Sequence, residues 1–258
     1  MFGANPKRPP LKNHDGLSLD VVDIFPTIQG EGPFAGRPAI FIRLGGCNLA
    51  CDFCDTEFEE FEPMALEGVV EKVINFSMDT RSAVSRPREC LTGGEPNNNW
   101  SPSRATVSET GDKQKFLIVI TGGEPMRQNI TPLCEVLLQQ GFEVQIETNG
   151  TLYQALPDNV NIVCSPKNTG NGYGPIRPDL LAKIDALKFI ISPNHDGYQH
   201  VAEWCDGAAN TNLPPIYVQP LDEQDEQKNQ ANTQYTMELA KRCGYRLSLQ
   251  LHKILQIP

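Results

Sequence analysis

The chain has 258 residues, with 22 Lys and Arg against 32 Asp and Glu and a formal net charge of −10. That length suits one large α/β domain with its own core, and the acidic balance argues against a general phosphate-binding surface for DNA or RNA. Residues 1–11 carry prolines and polar groups without an apolar run, so neither a signal peptide nor a membrane span is expected and a cytoplasmic location follows.

In chain order, residues 1–16 read as a leader, and a hydrophobic strand is expected at 18–24. A buried strand at 39–44 and a helix at 65–76 come next. Residues 79–115 contain Asn97, Asn98 and Asn99, scattered serines and prolines, and no periodicity, which reads as a long insertion. Buried strands follow at 116–120, 143–146, 161–164, 186–191 and 215–218. Segments of helical period accompany them at 131–140, 178–184, 198–205 and 233–243, and a last strand is expected at 246–251. Residues 17–258 thus read as one α/β domain: a partial (β/α) barrel of about six parallel strands with extra terminal strands, whose catalytic loops follow the strands' C-terminal ends.

Eight cysteines are clustered at one point and scattered elsewhere, a pattern of reduced thiols rather than a disulfide framework. The cluster is Gly45-Gly46-Cys47-Asn48-Leu49-Ala50-Cys51-Asp52-Phe53-Cys54-Asp55-Thr56, directly after the first barrel strand. Its C-x3-C-x2-C spacing can wrap one corner of a four-iron cubane and leave the fourth iron open, as a catalytic metal site requires. A structural zinc site would want a fourth Cys or His in a second pair, and the next cysteine is Cys90 in the insertion. A second motif, Thr121-Gly122-Gly123-Glu124-Pro125, ends a buried strand in a glycine turn that carries a carboxylate. Its copy, Thr92-Gly93-Gly94-Glu95-Pro96, follows no such strand, so the later one is the candidate. The dispersed His14, His195, His200 and His252 read as surface or core residues, and Cys90, Cys134, Cys205 and Cys243 as ordinary apolar side chains.

The cysteine spacing, with aromatic Phe53 before the last cysteine, resembles the radical S-adenosylmethionine (SAM) superfamily. That resemblance implies a [4Fe-4S] cluster on Cys47, Cys51 and Cys54. It also implies SAM flanked by Phe53, Cys54 and Asp55, with its methionine ammonium held at Gly123 and Glu124. The stretch Phe25-Pro26-Thr27-Ile28-Gln29-Gly30-Glu31-Gly32, with Gly36-Arg37-Pro38 and Phe41-Ile42-Arg43-Leu44-Gly45, is similar to the 7-carboxy-7-deazaguanine synthases. These convert 6-carboxy-5,6,7,8-tetrahydropterin to 7-carboxy-7-deazaguanine, with loss of ammonia, on the way to queuosine. The likeness implies pterin contacts from Ile28, Gln29, Gly30, Arg43, Thr121 and the carboxylate of Pro258, and Mg2+ on Thr56. Further SAM contacts would come from Ser165, Pro166, Lys167, Gln219, Pro220, Leu221 and Asp222. It also implies a homodimer served by flavodoxin or ferredoxin, without direct nucleic-acid binding. A glycyl-radical activase would share the cluster and the Gly-Gly-Glu-Pro turn but would not need Gln29 to Gly32 and Arg43. An electron carrier or metal scaffold would normally want four cysteines. Leader and insertion are the departures from the family pattern, and neither is expected to touch a matched motif.

Overall fold

The computed structural model describes residues 5–84, 116–205 and 213–258. Nine strands form: β1 (Ser18–Ile28), β2 (Pro38–Leu44), β3 (Glu62–Ala65), β4 (Leu117–Gly122), β5 (Glu143–Thr148), β6 (Val160–Cys164), β7 (Ala186–Ile191), β8 (Ile216–Pro220) and β9 (Arg246–Leu247). They join in one sheet of order β3-β1-β2-β4-β5-β6-β7-β8-β9. Strands β2, β4, β5, β6, β7 and β8 are mutually parallel, the six expected. β1 is antiparallel to β2 and β3, while the two-residue β9 is parallel to β8. The edges β3 and β9 stay apart, so the sheet is an open, partial barrel. The helices are α1 (Leu66–Val84), α2 (Thr131–Gln139), α3 (Pro178–Leu181), α4 (Glu226–Cys243) and α5 (Leu251–Leu255).

Strand side chains alternate between faces, and here the two faces differ in chemistry. Ile40, Ile42 and Leu44 of β2, Ile118 and Ile120 of β4, and Leu187, Phe189 and Ile191 of β7 join the main core with α2 and α4 residues such as Leu133 and Leu239. The intervening residues face the other way. Low on that face they are apolar, with Ala39, Leu117 and Val119 in one cluster and Val163, Ala186 and Tyr217 in another. Toward the strands' C-terminal ends they become Arg43, Thr121, Glu147, Lys188 and Gln219, which line a cavity.

Several elements differ from expectation. α4 starts at Glu226 rather than 233, because Asp225 caps it by accepting from Lys228 N at 3.0 Å while its polar first turns show no apolar period. Residues 198–205 form only a 3-10 turn at Glu203–Cys205, since Tyr198 is held by a turn to His195 and by its hydroxyl on Asn168. The expected strand at 246–251 stops at Leu247, and Leu251 opens α5. β3, Glu-Pro-Met-Ala, was not legible because proline and charge suit only an edge. α1 runs on to Val84, past the expected start of the insertion. Cys90 and the Thr92 to Pro96 copy lie outside the described residues. Among those described, no helix is long and apolar enough to cross a membrane.

Phe189 is fully buried, edge-on to Tyr173 and tilted against Trp204. Phe189→Ala should therefore lower stability by about 3–5 kcal/mol in urea unfolding; a loss below about 1 kcal/mol would contradict this packing.

Candidate functional site

The cavity, about 260 Å3, opens at the C-terminal ends of the parallel strands and is lined by Cys47, Cys51 and Cys54. The loop carrying them leaves β2 and lies directly on the Gly-Gly-Glu turn that leaves β4. Gly123 N donates to Leu44 O at 3.1 Å and Glu124 N to Gly46 O at 3.0 Å. A Cβ at Gly123 would stand 2.1 Å from the Gly46 oxygen, so only glycine lets the two loops touch. The two motifs read separately from sequence are one structural unit.

Glu124 is fully buried and does not line the cavity. Its carboxylate accepts from Met126 N at 3.0 Å, Thr148 Oγ1 at 2.8 Å and Asn149 N at 2.7 Å. A carboxylate offers about four lone-pair sites, so one remains beyond these three donors. Burial pushes this carboxyl up to about 6 against those hydrogen bonds.

Of the other expected SAM contacts, Phe53, Asp55, Ser165, Lys167, Gln219, Pro220, Leu221 and Asp222 line the cavity, whereas Pro166 is buried and does not. Phe53 packs edge-on against His195 and Tyr198. Lys167 Nζ is held by Ser165 through its main-chain oxygen at 2.8 Å and hydroxyl at 2.6 Å, and burial lowers its pKa. Lys253 of α5 bridges Asp55 at 3.1 Å and Asp222 at 2.5 Å, tying the cysteine loop to the β8 loop. Thr56 lines the cavity with its hydroxyl 3.3 Å from Asp55 Oδ1.

The opposite wall is a buried ionic network. Lys188 Nζ donates to Glu147 Oε2 at 3.0 Å and to Glu31; Gln29 Nε2 donates to Glu147 Oε1 at 3.0 Å; Gln250 Nε2 donates to Glu31 at 2.9 Å. Burial alone would push the Glu31 carboxyl up, but Lys188 and Gln250 override it and hold the group at about 2. Burial likewise opposes the Lys188 ammonium, and its two carboxylates hold its pKa above the ordinary lysine value. Arg43 lies on this side with its guanidinium 5.2 Å from the Phe25 ring centroid, and among the described residues no carboxylate pairs with it.

No family model matches the chain. The 7-carboxy-7-deazaguanine synthase of Rickettsia prowazekii (strain Madrid E) is 48% identical over 257 residues, spanning 100% of this chain and 96% of the relative. The chain belongs to the 7-carboxy-7-deazaguanine synthase family. The Rhodospirillum rubrum synthase is 37% identical with full coverage of both chains. In fold, the chain is similar to the crystal structure of QueE from Escherichia coli, with a TM-score of 0.63 at 23% identity, over 90% of this chain and 94% of that one.

Within this synthase family the implied iron–sulfur cluster has a specific requirement, and the thiols fit it. Among the described residues no fourth Cys or His lines the cavity beside the three thiols except His252 of α5, and a cubane with one open iron takes three thiolates. Cys164 joins the core instead of the cavity, which leaves three thiols on the cavity wall. Burial pushes Cys47 up to about 11 and also raises Cys51 and Cys54, with the neighbouring thiolates adding to the rise at Cys47 and Cys51 and Asp55 adding to it at Cys54. Such a triad gives up its protons only to a cationic centre.

The expected pterin contacts divide. Gln29, Arg43 and Thr121 line the cavity, while Ile28 and Gly30 do not. A Cβ at Gly30 would stand 2.5 Å from His252 Nδ1, so that glycine admits the α5 histidine to the cavity wall. Pro258 is exposed and away from the lining, its main-chain oxygen accepting from Thr27 Oγ1 at 2.5 Å. The sequence reading missed Glu31, Glu147, Lys188, Gln250 and His252 on the wall. Lys188 carried a usable signal, a lone cation inside the apolar run Ala-Leu-Lys-Phe-Ile-Ile.

Lys188→Met strands two buried carboxylates and should cost about 3–5 kcal/mol at neutral pH. The folded Glu31 value is depressed from 4.5 to about 2 in the wild type, and burial would raise it in the variant, so the stability gap between them is largest at neutral pH and closes as pH falls toward 2. Urea titrations across that range check it; a gap that does not vary with pH would contradict the pairing.

Proposed function

We propose that this chain is a radical SAM enzyme that converts 6-carboxy-5,6,7,8-tetrahydropterin to 7-carboxy-7-deazaguanine, releasing ammonia, in queuosine biosynthesis. The observation that carries this reading is that three thiols and an Arg43 with no carboxylate partner among the described residues open on one cavity, in a chain whose relatives bear the synthase name.

Cys47, Cys51 and Cys54 would hold the [4Fe-4S] cluster, three thiolates for four irons, and SAM would bind beside it. Bound there, cluster and SAM would supply one-electron radical chemistry to the neighbouring substrate pocket. Every other task falls to the chain. Gly123 would give the methionine ammonium close backbone approach, with the buried Glu124 carboxylate behind it as counter-charge. Phe53, Asp55, Ser165, Lys167 and the Gln219 to Asp222 loop would line the nucleoside and carboxylate ends of SAM, with Pro166 fixing the turn behind them. Arg43 would clamp the pterin carboxylate through its planar fork, and the Gln29, Glu147 and Lys188 wall would offer donors and acceptors to the ring edges. The Thr121 hydroxyl would complete the substrate side, while Ile28, Gly30 and Pro258 stand off the cavity lining. Mg2+ would take the Thr56 hydroxyl, filling its other positions from water and substrate, and its work would be positioning.

An electron must enter from outside, so a flavodoxin or ferredoxin is the expected partner, and a reducing cytoplasm suits the thiols. A homodimer belongs to the same reading. A glycyl-radical activase is not favoured, since neither the relatives' names nor a cavity of this size suits a partner polypeptide.

Anaerobic incubation of the iron-reconstituted chain with SAM, reductant and the carboxytetrahydropterin should yield 7-carboxy-7-deazaguanine; SAM cleavage without it would remove the substrate assignment. Arg43→Ala should raise the pterin KM about 10- to 100-fold, the worth of a charged hydrogen bond, and leave SAM affinity near wild type. An unchanged KM would count against the clamp.

A further inference from the structure

Two segments remote in sequence close on the cysteine loop. Residues 5–14 cross it from one side, contrary to the expectation that the leader touches no matched motif, with Arg8 N donating to Cys47 O at 2.7 Å. From the other side comes α5, whose Lys253 stands behind the cavity lining and meets two of the carboxylates on it.

Those carboxylates sit on loops that nothing in the sheet joins. Asp55 follows β2 and Asp222 follows β8, the first and last of the six parallel strands, with β4, β5, β6 and β7 between them. Each commits one oxygen to its own loop and the other to α5. Asp222 Oδ1 accepts from Gln224 N at 2.9 Å and from Asn229 Nδ2, on α4, at 2.7 Å, while Oδ2 takes the Lys253 ammonium at 2.5 Å. Asp55 Oδ1 accepts from the Thr56 hydroxyl at 3.3 Å, while Oδ2 accepts from Lys253 at 3.1 Å and from Gln250 Nε2 at 3.3 Å. Asp222 is thus anchored on a long helix, and Lys253 passes that order on to Asp55. Burial alone would raise the Asp222 carboxyl, and Lys253, the Gln224 amide and Asn229 bring it below the ordinary aspartate value.

We propose that Lys253 is a positioning residue for SAM: it holds Asp55 and Asp222 at a fixed spacing and so sets the SAM end of the cavity without touching the cofactor. This role deepens the reading of Asp55 and Asp222 as SAM contacts and rests on it. α5 also serves the pterin wall, since His252 lines the cavity and Gln250 donates to Glu31 at 2.9 Å. A helix that merely came loose would therefore weaken both ligands alike.

Lys253→Met keeps the aliphatic stem and removes the ammonium. In the iron-loaded chain without reductant, so that SAM stays intact, its SAM dissociation constant should rise about fivefold, the worth of two part-exposed ion pairs, while that of the carboxytetrahydropterin stays within about twofold of wild type. Equal weakening of both ligands, or SAM affinity at the wild-type value, would overturn the proposal. A second measurement uses metal-free chains. The unfolding equilibrium constants of Lys253→Met, Asp222→Asn and the double variant should depart from additivity by about threefold, because asparagine keeps the Oδ1 acceptor and loses the charge. Strict additivity would equally overturn the bridge. This cycle needs neither iron nor SAM, so it decides even if the wild-type chain binds no SAM, a result that would defeat the cofactor reading instead.

Discussion

In each of the six parallel strands, side chains two residues apart share a face, and the same alternation supplies both a core and a site. One face is apolar along its length and packs on α2 and α4. The other turns from Ala39, Val119, Val163 and Ala186 to Arg43, Thr121, Glu147, Lys188 and Gln219 as the strands approach their C-terminal ends. A one-residue slip in β2, β5 or β7 would bury Arg43, Glu147 or Lys188 in the core and expose aliphatic chains to the cavity, so the register of these strands is strongly specified. The cavity is the region where the polar faces of an open barrel converge.

Loops then turn this convergence into chemistry. The cysteine loop lies on the Gly122-Gly123 turn, which lacks side chains that would push it away. Glu124 holds the next loop through Thr148 and Asn149, and Asn149 in turn faces Cys47. α5 closes the remaining side, with Lys253 and Gln250 anchored on Asp55, Asp222 and Glu31. Burying Lys188 with two carboxylates is costly in desolvation, and the arrangement persists because each partner has further hydrogen bonds. A rigid polar wall of this kind holds a small polar substrate in one orientation.

Much of this was legible in the residues. Apolar runs with β-branched side chains located all six parallel strands, since buried parallel strands are near-continuous in apolar residues. The cysteine spacing and the Gly-Gly-Glu turn are local in sequence, so they were visible too. What the sequence concealed depends on distance along the chain. Lys188 meets Glu31 across 157 residues, and Asn5 meets Thr56 across 51, which no local pattern encodes. His252 looked like a lone histidine because its neighbour, Gly30, comes from the other end of the chain. The helix expected at 198–205 failed for the same reason, as Tyr198 answers to Asn168 rather than to its own helical period.

If the three cavity thiols hold a cubane with one iron left open for SAM, the cluster's spectrum must respond to that cofactor. Electron paramagnetic resonance of the anaerobically reconstituted, reduced chain, recorded with and without SAM, tests it most directly. The account predicts a reduced [4Fe-4S] signal whose g values change when SAM is added. A bound zinc ion, or a cluster signal indifferent to SAM, would contradict it.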